Sequence, residues 1–175
     1  MDMSNLRTSL LPGMLTTISR NIKVKENNLQ LFEIGKVFNK NSDVIKSFDD
    51  FSEDSMLLGI ITGKSIDTEW YSKDSFFDFY DLKGYVYQFL KSITDKDIEH
   101  IYISESNQLF EYSVKLELDG EELGVIGKLN DELIAGYDIE QSVFAFSFNL
   151  EKLSIIPVEE KKFKELLKYP KVYRD

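Results

Sequence analysis

The residues of this chain that could do chemistry are few, and each has a plainer reading. Gly59-Ile-Ile-Thr-Gly63-Lys64-Ser65 has the glycines and the Lys-Ser pair of a loop that wraps phosphate. That loop needs four residues between its glycines and a helix directly after, and here three intervene and Asp67-Thr-Glu-Trp70 follows. Asp78 and Asp81 stand one helical turn apart and could share a divalent cation, but among 31 acidic residues such pairs arise by chance, and a helix N-terminus favours acids in any case. His100 is the only histidine, so imidazole clusters are impossible; it reads as an ordinary strand histidine. Tyr71, Phe76, Phe77, Phe79 and Tyr80 could stack a base, although core or interface packing is the commoner use of such a cluster. With no cysteine and three arginines, catalysis would rest on carboxylates, lysines and tyrosines.

The elements that must position these residues follow from periodicity. Ser9-Leu-Leu-Pro12 reads as a helix start, with a capping serine and a proline in the first turn, and Leu11, Leu15, Ile18 and Ile22 recur on one face. Leu29 to Phe38 reads as a strand, 39–54 as a polar loop anchored by Phe48 and Phe51, and Ser55 to Thr62 as a strand buried on both faces. Phe79, Leu82, Val86, Phe89, Leu90 and Ile93 form the stripe of an amphipathic helix over 78–93. Ile98 to Ile103 reads as a further strand. Tyr112 to Leu118 alternates as a half-buried strand, Asp119-Gly120 turns the chain, and Leu123 to Leu129 completes a hairpin. A short capped helix over 130–135, a strand over 143–148 and a turn of helix over 150–156 close the pattern. The order predicts an α+β fold, an antiparallel sheet with helices packed on it.

Composition narrows the function. The net charge is −10, distributed as +3 over residues 1–46, −17 over 47–160 and +4 over 161–175. So acidic a middle section repels phosphate backbones, which argues for a protein partner over nucleic acid. The basic stretch Lys161 to Lys168, with Phe163, Leu166 and Leu167 at helical spacing, reads as a solvated helix or linker face. No apolar run is long enough to cross a membrane as a helix, and the absence of cysteine fits a cytoplasmic setting.

Three segments in order resemble the β-subunit family of bacterial phenylalanine–tRNA ligases: Leu6-Arg-Thr-Ser-Leu-Leu-Pro-Gly13, Leu31-Phe-Glu-Ile-Gly-Lys-Val-Phe38 and Asp78-Phe-Tyr-Asp-Leu-Lys-Gly84. The family reads close to LRTSLLPGLL, LFEIGRVF and DFFDLKG. The hairpin Leu123-Gly-Val-Ile-Gly-Lys-Leu129 and the closing Tyr169-Pro-Lys-Val-Tyr-Arg-Asp175 are similar to two further family segments, so the resemblance covers essentially the whole chain. One departure is Glu105-Ser-Asn-Gln-Leu-Phe110, where many relatives carry HPGRSA.

The resemblance implies a class II aminoacyl-tRNA synthetase-like domain over residues 1–156 that is catalytic-like but inactive, with 157–175 as a linker to a following domain. It implies a parent enzyme that charges tRNA(Phe) with phenylalanine using ATP and Mg²⁺ on a catalytic α subunit, within an (αβ)₂ heterotetramer. This domain would hold no cofactor or metal, pack against α and touch tRNA little, any contact coming from residues 1–46 or 161–175. The class II dimerisation motif would precede Met1, so the isolated domain is expected to bind α weakly. The family's third motif, near AFGLGLERL in the α subunit, corresponds here to Ala145-Phe-Ser-Phe-Asn-Leu-Glu-Lys-Leu153. Ser147 and Asn149 stand at glycine positions and Lys152 at the arginine that grips phosphate. Side chains at the glycine positions crowd a nucleotide, and lysine lacks the planar fork of arginine. Motif 2 needs an arginine on a strand–loop–strand, and the stretch before Leu29 leaves no room for one. Structural or interface roles fall to Arg7, Leu11, Pro12, Phe32, Glu33, Gly35, Asp81, Lys83 and Gly84, with Lys83 expected in a salt bridge and Gly84 expected to let helix and sheet approach closely. Two alternatives are an adenylate-forming domain with a cryptic ATP site and a stand-alone acidic interaction domain.

Overall fold

The structure, a computed structural model, describes residues 6–41, 51–66, 74–94, 96–103 and 108–157. In chain order the elements are α1 (Leu11–Lys23), β1 (Leu29–Lys40), β2 (Phe51–Thr62), β3 (Lys64–Ile66), β4 (Ser75–Phe76), α2 (Phe79–Ile93), β5 (Glu99–Ile103), β6 (Phe110–Leu118), β7 (Glu121–Leu129), α3 (Asp131–Ala135), β8 (Val143–Asn149) and α4 (Leu150–Ser154). Six strands form one sheet in the order β1-β2-β8-β7-β6-β5, every neighbour antiparallel. The α+β expectation holds.

The two faces of this sheet carry separate cores. β2 and β8 pair in the register Leu57↔Phe148, Leu58↔Ser147, Gly59↔Phe146, Ile60↔Ala145 and Ile61↔Phe144. Side chains alternate across a strand. Leu57, Ile61, Phe144 and Phe148 therefore meet Leu82, Val86 and Leu90 of α2, while Leu58, Ile60 and Ala145 meet Leu11, Leu15 and Ile18 of α1. A strand segment covered on both sides has to be apolar, which is why β2 is apolar without a break from Met56 to Ile61, while its first half, beyond the covering helices, carries Ser52, Glu53, Asp54 and Ser55. Each large aliphatic side chain taken into these cores contributes about 1.5–3 kcal/mol. One close approach matters: a Cβ on Gly59 would lie 2.2 Å from the Phe146 ring, which crosses the strand there.

Local chemistry sets the element ends. The Ser9 hydroxyl accepts from the Leu11 N–H at 3.1 Å, and Pro12 sits in the first turn of α1. α2 opens with a reciprocal capping box: the Asp78 carboxylate accepts from the N–H groups of Tyr80 and Asp81, and the Asp81 carboxylate accepts from the Asp78 N–H. Asp119 and Gly120 both take positive φ, 54° and 82°, as a two-residue turn between right-twisted strands requires.

The structure departs from the sequence reading in four places. Residues 39–40 and 51–54 belong to strands, so β1 and β2 form a longer pair than the polar loop implied, from Leu29↔Thr62 to Lys40↔Phe51; Phe48 lies outside the described residues. That pair is itself a strand–connection–strand unit, and it lies after Leu29, not before it. The small ribbon β3–β4 was not foreseen, because strands of three and two residues carry no usable periodicity. Ser113, which the alternation of Tyr112 to Leu118 turns toward solvent together with Lys115 and Glu117, is buried.

Candidate functional site

Three of the residues singled out in the sequence come together at the outer edge of β1. Arg7 Nη1 donates to Glu33 Oε1 at 2.7 Å and Arg7 Nε donates to the Lys36 carbonyl at 2.9 Å, while the Phe38 N–H donates to the Arg7 carbonyl at 2.9 Å. The guanidinium lies across Gly35, where a Cβ would stand 2.1 Å from Nη2. The glycine supplies the space, and the arginine clamps the chain ahead of α1 onto the strand. Leu11 is buried under the helix start and Pro12 is exposed.

The positions matching the third class II motif sit where β8 meets α4, and two of them are engaged. Asn149 caps α4, its Oδ1 accepting from the N–H groups of Glu151 and Lys152 at 2.9 and 3.2 Å. Its Nδ2 donates to Asp54 Oδ1 at 3.5 Å, and Asn39 Nδ2 donates to the other Asp54 oxygen at 3.1 Å, so a β2 carboxylate ties β1 to the start of α4. Lys152 Nζ donates to the Glu122 carbonyl on β7 at 3.0 Å. Ser147 lines a cavity of about 180 Å³ with Thr8, Ser9, Met56, Leu58 and Ala145 among its walls and no charged side chain. Asp54 and Asn39 were missed in the sequence; only their opposition across the β1–β2 register could have pointed to them.

On α2 the two acids serve as caps. The structure corrects two further expectations there. No ion pair joins Lys83 to a described carboxylate. Gly84 faces open space, with nothing within 4 Å of an added Cβ, so it does not mediate a close approach to the sheet. Gly63, of the phosphate-loop-like stretch, takes φ 87° at the bend from β2 into β3, and Lys64 pairs with Asp74 at 2.7 Å, so a strand follows where the cradle needs a helix. Among the aromatics, Phe77 is buried, Phe79 packs edge-on against Tyr112, Phe76 and Tyr80 are exposed, and Tyr71 lies outside the described residues. His100 is on β5, its side chain outside the described ones.

Between the β1 edge and α2 lies an apolar groove that sequence reasoning marked only through Phe32. Phe32 is 74 % exposed, Ile34 61 %, Tyr85 46 % and Phe89 36 %, and all four line it over Leu57, Ile61 and Phe146. Apolar side chains left this open on an edge strand mark a contact surface. The signal in the sequence was an edge strand apolar on both alternating faces.

Charge is largely satisfied locally. In the first 46 residues Arg7 pairs with Glu33, Lys23 with Asp138 and Lys36 with Glu53. Burial opposes the charge on Lys128, but its bonds to Glu111 and Asp131 prevail and hold its ammonium above the usual lysine range. The hydrogen bond and charge of Glu122 raise Lys115 likewise. Among the described residues no cluster of acids and histidine has metal-holding geometry, and no helix is long and apolar enough to cross a membrane.

An antiparallel six-stranded sheet with helices on both faces, closed by a strand running into a short helix, has the architecture of class II aminoacyl-tRNA synthetases. The chain superposes with a TM-score of 0.64 on the pyrrolysyl-tRNA synthetase of Desulfitobacterium hafniense, at 18 % identity, covering 86 % of this chain and 49 % of that one. The family model for the phenylalanyl tRNA synthetase beta chain CLM domain matches residues 1–150, and the chain belongs to that family. Phenylalanine–tRNA ligase beta subunits of Legionella pneumophila (strain Paris) and Syntrophotalea carbinolica are each 30 % identical to it over 99 % of its length. The chain spans 21 % of each of those relatives. None of the comparisons supports an ATP-site or stand-alone acidic alternative.

Proposed function

We propose that this chain is a non-catalytic structural domain of a phenylalanine–tRNA ligase β subunit, and that it packs against the catalytic α subunit through the groove between β1 and α2. The parent assembly would be an (αβ)₂ heterotetramer that joins phenylalanine to tRNA(Phe) with ATP and Mg²⁺, the chemistry residing on α. The observation that carries the non-catalytic reading is the junction of β8 and α4. Asn149 and Lys152 are committed to capping a helix and holding a β7 carbonyl. The neighbouring cavity is uncharged and smaller than the roughly 300–1,000 Å³ of ordinary ligand pockets. A triphosphate demands cationic donors, and residues 29–62, the strand–connection–strand, include no arginine. The packing surface is inferred from Phe32, Ile34, Tyr85 and Phe89, which water contacts here and a partner would cover.

The test uses the full-length β subunit co-expressed with α. Phe32→Glu combined with Ile34→Glu should reduce recovery of the αβ complex at least tenfold while leaving β thermally as stable as the wild type, since both side chains are exposed. Undiminished complex from the double variant would remove the groove from the interface.

A further inference from the structure

The cavity beside Ser147 has a shape and lining that specify a ligand, and we propose that it binds small neutral molecules of one ring, such as benzyl alcohol or toluene. The inference goes beyond the structural role above and does not depend on the groove.

The cavity follows from the sizes of alternate residues on β8. The side chains facing α2 are Phe144, Phe146 and Phe148, while those facing α1 are Val143 and then the two small residues Ala145 and Ser147. Close packing of two elements needs volume on both sides of the contact. The sheet supplies little of it above Ala145 and Ser147, and about 180 Å³ is left between Leu58, Val125, Leu129 and the start of α1. An enclosed space of roughly 150 Å³ lined by aliphatic and aromatic carbons accepts benzene; this one is of similar size with an apolar floor and opens to solvent past Thr8, Ser9 and Leu109. The Thr8, Ser9 and Ser147 hydroxyls at its border give one polar ligand group a partner, which favours benzyl alcohol over toluene.

Charge sets the other limit. No lysine, arginine, aspartate or glutamate lines the cavity, so a zwitterion would bring a carboxylate and an ammonium with nothing to pair them. Free phenylalanine, whose side chain has the right size, is therefore excluded while its uncharged fragment is admitted. A ligand of about eight heavy atoms, at a per-atom efficiency between that of drug-sized ligands and that of the best small ones, binds with a dissociation constant on the order of 1 mM.

The experiment is a titration of the ¹³C-methyl-labelled chain with benzyl alcohol, toluene and L-phenylalanine, followed by NMR. Saturable shifts confined to the methyls of Leu58, Val125 and Leu129 are expected with the first two and not with the third. Ala145→Val should fill the space and weaken benzyl alcohol at least tenfold. Ser147→Val, at the border where a fold defect is least expected, should weaken benzyl alcohol more than toluene. Absence of saturable shifts at several millimolar benzyl alcohol, equal binding of phenylalanine, or unchanged affinity in Ala145→Val would overturn the proposal. None of these outcomes bears on recovery of the αβ complex, so the two readings fail separately.

Discussion

Replacing Gly35 by alanine should destabilise the wild-type chain and stabilise a chain that already lacks Arg7. The new methyl would stand 2.1 Å from Arg7 Nη2, so the guanidinium must leave the strand and with it both of its side-chain bonds. The Arg7–Glu33 pair is a third to a half exposed and is worth about 0.2–1 kcal/mol. The bond to the Lys36 carbonyl adds about 1 kcal/mol. Against this loss of about 1–2 kcal/mol stands the gain from removing a strand glycine, about 0.5–1 kcal/mol. Gly35→Ala alone should therefore cost about 0.5–1 kcal/mol, and Arg7→Ala alone about 1–2 kcal/mol. Gly35→Ala added to Arg7→Ala should restore about 0.5 kcal/mol. Urea unfolding of the four proteins at neutral pH, read from midpoints at constant slope, supplies the cycle. If Gly35→Ala were equally harmful with and without Arg7, the guanidinium would not be what requires the glycine. Leu10, whose Cδ2 lies 3.1 Å from the added Cβ, would then be responsible.

Three other outcomes follow from single contacts. Gly84→Ala, on an exposed helix position with open space around it, should raise stability by about 0.5–1 kcal/mol, measurable as a higher thermal midpoint. Asn149→Ala removes the α4 cap and should cost about 1 kcal/mol in urea unfolding. Lys128, raised by Glu111 and Asp131 above its unfolded value, contributes stability that is complete below about pH 10 and is lost as pH rises through its folded pKa. The stability difference between wild type and Lys128→Met should thus stay constant from neutral pH to about 10 and shrink above it; a difference that grew there would contradict the assignment.

The fold was legible wherever a pattern was long. α2 announced itself through its stripe and its Asp78 cap, the β6–β7 hairpin through Asp119-Gly120, and α3 through Asn130, whose side chain accepts from the Glu132 N–H at 2.9 Å. What escaped was set by neighbours remote in sequence. Ser113 looked polar-out because it alternates with Lys115 and Glu117, which stay partly exposed, whereas Ser113 is buried locally where Phe110 and Gly127 meet it. Gly84 looked like a packing glycine, but whether a helix glycine faces sheet or solvent depends on a fraction of a turn. At the site, Arg7, Glu33 and Gly35 were each marked separately, and their meeting depends on the chain before α1 folding back along β1. Of residues 157–175, read as a linker, all but Pro157 lie outside the described residues.

The proposed non-catalytic role requires that the β8–α4 junction hold no nucleotide. Calorimetric titration of the chain with ATP·Mg²⁺, with and without phenylalanine, tests it most directly. The prediction is no saturable heat up to millimolar ATP. Saturable binding in the micromolar range, abolished by substituting Lys152, would contradict the account and return the domain to the nucleotide-binding class.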